Sequence, residues 1–221
     1  MAGNVLITGA SGLLGRELTG LLYSRGFAVV AQYHSRRPRQ LPGNWIRGDL
    51  STPETTRAFL QSYREELRDC THLVHAYGPI CRQPVNKLEP ADFLKDFHGN
   101  VTAFQLIAKG LMQWGRLRSA VALGFAAAGR IRPYRMVLTH AVAKNALLLL
   151  VLSLAQANPD TCFNMVSPST LAGARVQAPG DRPLEVSVAA TAVADTLAAD
   201  RSGTHMVVTP ECPQGEVVNA L

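Results

Sequence analysis

Short apolar runs rich in β-branched residues alternate with longer stretches of helical periodicity from one end of the chain to the other. The apolar runs at 4–8, 28–33, 45–47, 72–76, 120–125, 162–166 and 205–209 predict strands. The periodic stretches at 13–25, 53–67, 90–114, 137–157 and 188–199 predict helices. Strict alternation of this kind builds βαβ units, and several strands are apolar at consecutive positions, as a parallel sheet covered on both faces requires. The expected fold class is α/β: a doubly wound parallel sheet in a three-layer α/β/α sandwich. With 221 residues, 47% of them apolar, the chain can bury one continuous core, so 1–221 is read as one domain. No internal repeat or low-complexity linker interrupts it, and the Pro/Gly-containing stretches at 36–43 and 177–183 read as loops.

Composition narrows the setting. The chain starts without the basic, long apolar and small-residue blocks of a secretory signal. Its longest apolar run, Ala146 to Leu152, is followed by Ser153 and Gln156 and is too short to cross a bilayer, so a cytoplasmic protein without membrane contact is expected. Cys70, Cys81, Cys162 and Cys212 are scattered, with no CxxC and no histidine at ligand spacing; structural thiols are expected, with no metal site. The net charge of +6 is unevenly spread: no acidic residue falls between Glu17 and Asp49, where Arg25, Arg36, Arg37, Arg39 and Arg47 all lie. That excess suits one small anion; nucleic acid would call for a long basic stripe with interleaved aromatics.

The first strand runs into Thr8-Gly9-Ala10-Ser11-Gly12-Leu13-Leu14-Gly15, which opens an apolar helix. Between a strand and a helix such glycines have distinct uses: a tight turn at Gly9, close backbone approach to a diphosphate at Gly12, and close helix-to-strand packing at Gly15. The helix N-terminus adds unpaired N–H groups and a positive dipole end, so Ser11, Leu13 and Leu14 join the candidate binding residues. The fold expected is therefore of the Rossmann type. The second strand ends in His34-Ser35-Arg36-Arg37, with no carboxylate for ribose hydroxyls. A guanidinium there suits a 2′-phosphate, and NADP(H) is the expected cofactor.

With these motifs the chain resembles the short-chain dehydrogenase/reductase family over most of its length. Thr8 to Gly15 is similar to that family's glycine loop, with the GxxGxxG spacing of its extended and atypical branches. The resemblance implies that Asp49 and Leu50 contact adenine, and that Ala76 and Gly78 stand where members usually carry Asn-Asn-Ala-Gly. It further implies that Asn100 holds a water in the proton relay, and that Pro168 borders the nicotinamide. Family enzymes protonate the substrate carbonyl from the tyrosine of a Tyr-x-x-x-Lys helix, assisted by a serine after the fifth strand. Here Lys144 is kept, His140 replaces the tyrosine, and 123–129 contains neither serine nor threonine. Asn100, His140 and Lys144 are the catalytic candidates that remain.

Loss of an oxyanion donor costs on the order of 3 kcal/mol and loss of the general acid roughly another hundredfold, enough together to silence an ordinary reductase. A protonated His140 is a competent acid, but Lys144 beside it disfavours the charged form. Three functional readings follow. The first is an NADP(H)-binding member with a degenerate site, weakly active or non-catalytic, serving an active reductase as partner or regulatory subunit. The second is an NADPH-dependent carbonyl reductase using His140 and Lys144. The third is an NADPH-responsive sensor, with Arg130, Arg132 and Arg135 presented to an acidic partner. The stretch between Pro168 and Val188 also looks short for a substrate lid. Finally, 100–114 and 137–157 are apolar beyond one face. The resemblance implies that these helices form the interface of a homo- or hetero-oligomer.

Overall fold

The structure is a computed structural model that describes residues 3–130, 132–174 and 182–220. Eight strands form one sheet: β1 (Asn4–Thr8), β2 (Ala28–Tyr33), β3 (Asn44–Arg47), β4 (His72–His75), β5 (Ser119–Leu123), β6 (Cys162–Pro168), β7 (Thr204–Val208) and β8 (Glu216–Ala220). Their order is β3-β2-β1-β4-β5-β6-β7-β8. Every neighbouring pair is parallel except β7 with β8. The order reverses between β1 and β4, which opens a crevice beyond the carboxyl ends of these strands.

Both faces of the sheet are buried, as the uninterrupted apolar strands require. On one face Leu6, Leu73 and Phe163 pack with Phe104 of α5 (Ala103–Gln113) and Leu147 of α6 (Leu138–Ala157). On the other, Val5, Ile7 and Val121 pack with Leu18 of α1 (Leu13–Ser24) and Val193 of α7 (Val186–Ala198). Arg25 and Asp195 join the ends of α1 and α7 at 2.6 Å. The α/β class and three-layer arrangement expected from the hydrophobic pattern are present.

Several element boundaries differ from expectation. The helix expected over 53–67 is two, α2 (Pro53–Ser62) and α3 (Arg64–Leu67), separated at Tyr63, whose ψ of 27° lies outside the helical range. The helix expected over 90–114 begins as α4 (Pro90–Phe97), widens into a π turn over His98–Thr102, and continues as α5. Strand β8 was not foreseen: only Val217 and Val218 break a polar stretch, and as an antiparallel edge it needs little apolar pattern. The loop expected over 36–43 is present; of 177–183, residues 177–181 lie outside the described residues. Leu171 bridges Leu184, with Ala172 N–H donating to Leu184 O at 2.8 Å and Leu184 N–H to Thr170 O at 2.8 Å.

Helix α6 extends well beyond the run Ala146 to Leu152 on both sides. An 18-residue stretch within its 20 residues has a mean hydropathy of 1.7, enough by length and composition to cross a membrane. Here it covers the sheet, burying Leu147 and Val151 while Leu149 is 68% exposed.

Glycines in and beside α1 give the fold its sharpest test. A Cβ on Gly15 would lie 2.3 Å from Gly9 O and 2.7 Å from Ala10 Cα, whereas one on Gly20 meets nothing within 4 Å. Gly15→Ala should therefore cost about 1–3 kcal/mol through overpacking. Gly20→Ala should stabilise by up to about 1 kcal/mol through helix propensity. Urea unfolding of both variants checks this opposition of sign; a neutral Gly15→Ala would show that the turn is not tightly held.

Candidate functional site

The glycine loop is held by the sheet. Gly9 adopts φ +65°, and a Cβ there would sit 2.7 Å from Tyr77 N. Its N–H donates to Gln32 Oε1 at 2.7 Å, Gln32 Nε2 donates to Gly48 O at 2.7 Å, and Ala10 N–H donates to Gln32 O at 2.9 Å. Gln32, buried in β2, thus ties the carboxyl ends of three strands together, a role sequence reasoning missed. An isolated polar residue inside an apolar strand was the available signal.

Gly12 differs in part from expectation. Its N–H is spent on Gly9 O at 2.9 Å, so it is not a free donor, although a Cβ there would meet only Gly9 O at 3.1 Å and the approach stays open. The free donors are the N–H groups of Leu13, Leu14 and Gly15 in the first turn of α1, which carries no side-chain cap. Ser11 is half-buried in the turn before them. His34, Ser35, Arg36 and Arg37 follow β2 as an exposed segment, and neither arginine is ion-paired among the described residues. Asp49 Oδ1 accepts from Ser51 N–H at 2.9 Å. Leu50 is sealed in the core at 1% exposure, which leaves its backbone alone to face an adenine.

At the other end of the crevice Asn100 lies in the π turn, fully buried. Its Nδ2 donates to Pro79 O at 3.0 Å and Asp96 O at 2.8 Å, and Oδ1 has no partner. Both bonds end on carbonyls, which only accept, so the amide orientation is fixed. A Cβ on Gly78 would lie 2.6 Å from Asn100 Oδ1 and 3.2 Å from Lys144 Nζ, so only glycine allows these groups to converge. Lys144 Nζ donates to Leu123 O at 2.5 Å. Burial lowers the Lys144 pKa to about 7, partly opposed by the Asp96 carboxylate. Asp96 is a second residue that sequence reasoning missed. Buried under the site, it accepts from Thr139 Oγ1 at 2.6 Å and from Cys81 N–H, and so anchors the start of α6 to the loop after β4.

His140 also bonds to Pro79 O, through Nδ1 at 3.3 Å. A carbonyl cannot donate, so Nδ1 carries the proton. Burial, together with Lys144, lowers the His140 pKa to about 3, and the ring is neutral. Where a serine hydroxyl would be expected, Phe125 packs its ring edge-on against His140 at 5.7 Å between centroids. The neighbouring position has no room for a side chain, because a Cβ on Gly124 would fall 2.0 Å from Ser167 Oγ. That hydroxyl is itself enclosed and hydrogen-bonded to His205 Nε2 at 2.8 Å. Tyr134 lies in the preceding loop, its hydroxyl accepting from Arg132 Nε at 3.1 Å.

A cavity of about 700 Å³ connects these parts, with Leu13, Ala76, Gly78, His140, Lys144 and Pro168 on its walls, together with Leu14. Arg82 and Ile80 also line it, unforeseen from the sequence. A cleft of about 710 Å³ lies at the amino ends of β4 and β5, near Thr71 and Arg118. Open parallel sheets bind ligands at the carboxyl ends of their strands, which favours the first.

A profile of the NAD dependent epimerase/dehydratase family matches residues 5–202. The chain belongs to this family. Its solved structural relatives are short-chain dehydrogenases/reductases, in keeping with the resemblance read from the motifs. A short-chain dehydrogenase from Burkholderia cenocepacia J2315, in complex with NADP, superposes with a TM-score of 0.83 at 19% identity, over 95% of this chain and 97% of that one. One from Leptospira borgpetersenii, with bound NAD+, gives 0.82 at 17% identity over 94% and 91%. A blue fluorescent protein from a metagenomic library, in complex with NADPH, gives 0.81 at 20% over 94% and 96%. At these identities the likeness is one of fold. No curated protein matches the chain.

Buried histidines make the molecule sensitive to acid. Burial lowers His75 and His140 to about 3 and His205 to about 4, against an ordinary value of 6.5. An unfolded chain takes up these protons near pH 6.5, whereas the folded one does so only near pH 3–4. Between those limits the unfolded state binds more protons, so their contribution to stability is lost as pH falls. Urea midpoints should therefore drop from pH 7 to pH 5, above the range where carboxylates titrate. His140→Gln should flatten the slope; a wild-type midpoint constant over that interval would contradict neutral buried rings.

Proposed function

We propose that this family member binds NADP(H) in the crevice and has lost efficient proton transfer, acting as a partner or regulatory subunit of an active reductase. The carrying observation is the state of His140: a neutral ring whose only proton is committed to Pro79 O, beside Phe125 where a hydroxyl donor would be needed. Reduction of a carbonyl by this site would require a protonated imidazole, which the surroundings oppose. The carbonyl-reductase reading is correspondingly weaker.

The residues present fit a dinucleotide. Leu13, Leu14 and Gly15 offer free N–H groups at a helix N-terminus for the diphosphate. His34, Ser35, Arg36 and Arg37 would receive a 2′-phosphate, and Asp49 with the Leu50 backbone the adenosine. Ala76, Gly78, Lys144 and Pro168 would border the nicotinamide half, with Asn100 enclosed behind Gly78. When bound, the nicotinamide supplies a hydride donor or acceptor. Complexes of the Burkholderia and metagenomic relatives with NADP and NADPH support this cofactor class, and the acid-free arginine segment supports the phosphorylated form.

An oligomer through α5 and α6 belongs to the same reading. Its support is the exposed apolar side of α6, with Leu149 at 68% and Val142 at 45%; α4, which packs against α6, exposes Leu94 at 57%. A cytoplasmic setting accords with it.

Titrating intrinsic NADPH and NADH fluorescence tests the cofactor claim. NADPH should bind more tightly, and the Arg36→Ala/Arg37→Ala variant should weaken NADPH about 10- to 100-fold, the loss of one or two charge-assisted bonds, with NADH nearly unchanged. The purified protein alone should show no appreciable NADPH oxidation with a panel of aldehydes and ketones. Robust turnover would sink the non-catalytic reading, and tighter NADH binding would sink the cofactor assignment.

A further inference from the structure

The cavity extends past the groove assigned to nicotinamide, and two of its groups have no protein partner among the described residues. His140 Nδ1 and Asn100 Nδ2 both donate to Pro79 O. This shared acceptor fixes the imidazole proton on Nδ1, so Nε2 presents a lone pair. Nε2 makes no hydrogen bond among the described residues and is not among the fully enclosed unpartnered atoms, and His140 lines the cavity, which leaves this lone pair for a ligand. A ligand carbonyl oxygen set against it would oppose one lone pair with another. A hydroxyl would donate to it.

The second group is Arg82. Its exposed side chain lines the same cavity, near enough to His140 for its charge to be felt there. It has no ion-pair partner among the described residues. The nearby acids are engaged elsewhere: Asp96 with Thr139 and Cys81 N–H, Asp92 with Gln83 Nε2 and Glu89 N–H. Leu123, Phe125, Ile80 and Leu171 make the intervening wall apolar.

We propose that this cavity binds a hydroxy acid with an apolar body, its hydroxyl donating to His140 Nε2 and its carboxylate paired with Arg82. The site so built selects the hydroxyl form over the corresponding keto form, the reverse of what a ketone-reducing site needs. The assignment rests on the cofactor reading above only in taking the adjoining groove as nicotinamide's.

The test uses full-length protein. NADPH uptake is first measured by fluorescence. Calorimetry and thermal shift, with and without NADPH, then follow mandelate and 3-phenyllactate, their keto counterparts phenylglyoxylate and phenylpyruvate, and methyl mandelate. The hydroxy acids should bind at least tenfold more tightly than the keto acids and than the ester. Arg82→Gln should abolish the preference for acid over ester and keep that for hydroxyl over ketone. His140→Gln, whose amide can donate, should remove the hydroxyl preference; His140→Phe should remove it too if the first variant folds poorly. Keto acids binding as tightly as hydroxy acids, or an Arg82→Gln variant that still prefers acid to ester, would overturn the proposal. Absence of NADPH uptake with hydroxy-acid binding intact would instead defeat the cofactor reading alone.

Discussion

The close contact between Gly15 of α1 and the carbonyl of Gly9 is the constraint on which the rest is arranged. It seats the first helix against the turn that ends β1, and no larger residue fits the gap. Because the turn is pressed inward, Gln32 can reach across from β2 to Gly9 N–H and to Gly48 O, which sets the ends of β1, β2 and β3 at one level. The Thr8 hydroxyl then meets His75 Nδ1 at 2.9 Å, and His75 Nε2 donates to Gly99 O at 3.1 Å. A chain of polar contacts thus runs from the glycine turn to the π turn beneath Asn100. Apart from the part-buried bond at Gly9, these links are buried, and each is satisfied, the condition under which such groups fix one arrangement of a core.

Chemistry at the far end follows from a second crowded carbonyl. Pro79 O takes hydrogen bonds from Asn100 and His140 together, so two side chains from different helices are oriented by one acceptor. Lys144 stays close behind them, its charge weakened by burial and partly restored by Asp96. Under the proposed reading, the cofactor-facing and substrate-facing features of this site have diverged. The glycine turn and Lys144 would face the cofactor, with Asn100 enclosed behind them. The side toward substrate offers an imidazole acceptor, a phenyl ring and an arginine in place of hydroxyl donors.

Much of the fold was legible because it rests on patterns that repeat along the chain. Alternating apolar runs placed seven of the strands, and the glycine triplet between a strand and a helix located the crevice. What stayed hidden depends on contacts between residues distant in sequence. The exclusion of a side chain at Gly124 comes from Ser167 on the next strand, and nothing local to 123–129 announces it. Asp96 reads as a surface acid of an amphipathic helix until α6 delivers Thr139 to it. The widening at His98–Thr102 is likewise a response to packing, since its residues carry no distinctive helical signal. Arg82 sits in a polar loop whose path over the cavity only the tertiary structure defines.

Helix α6 carries a consequence for how the chain is made. By length and apolarity it passes for a bilayer span, and what conceals it in the finished molecule includes β6, which follows it in sequence. As the chain leaves the ribosome, the helix is synthesised before that cover exists, and exposed apolar surface of this kind invites aggregation or capture by chaperones. Until β6 is made, the greasy segment has only the earlier elements, such as α4, to cover it. The last third of the polypeptide therefore also acts as a timed shield for its middle.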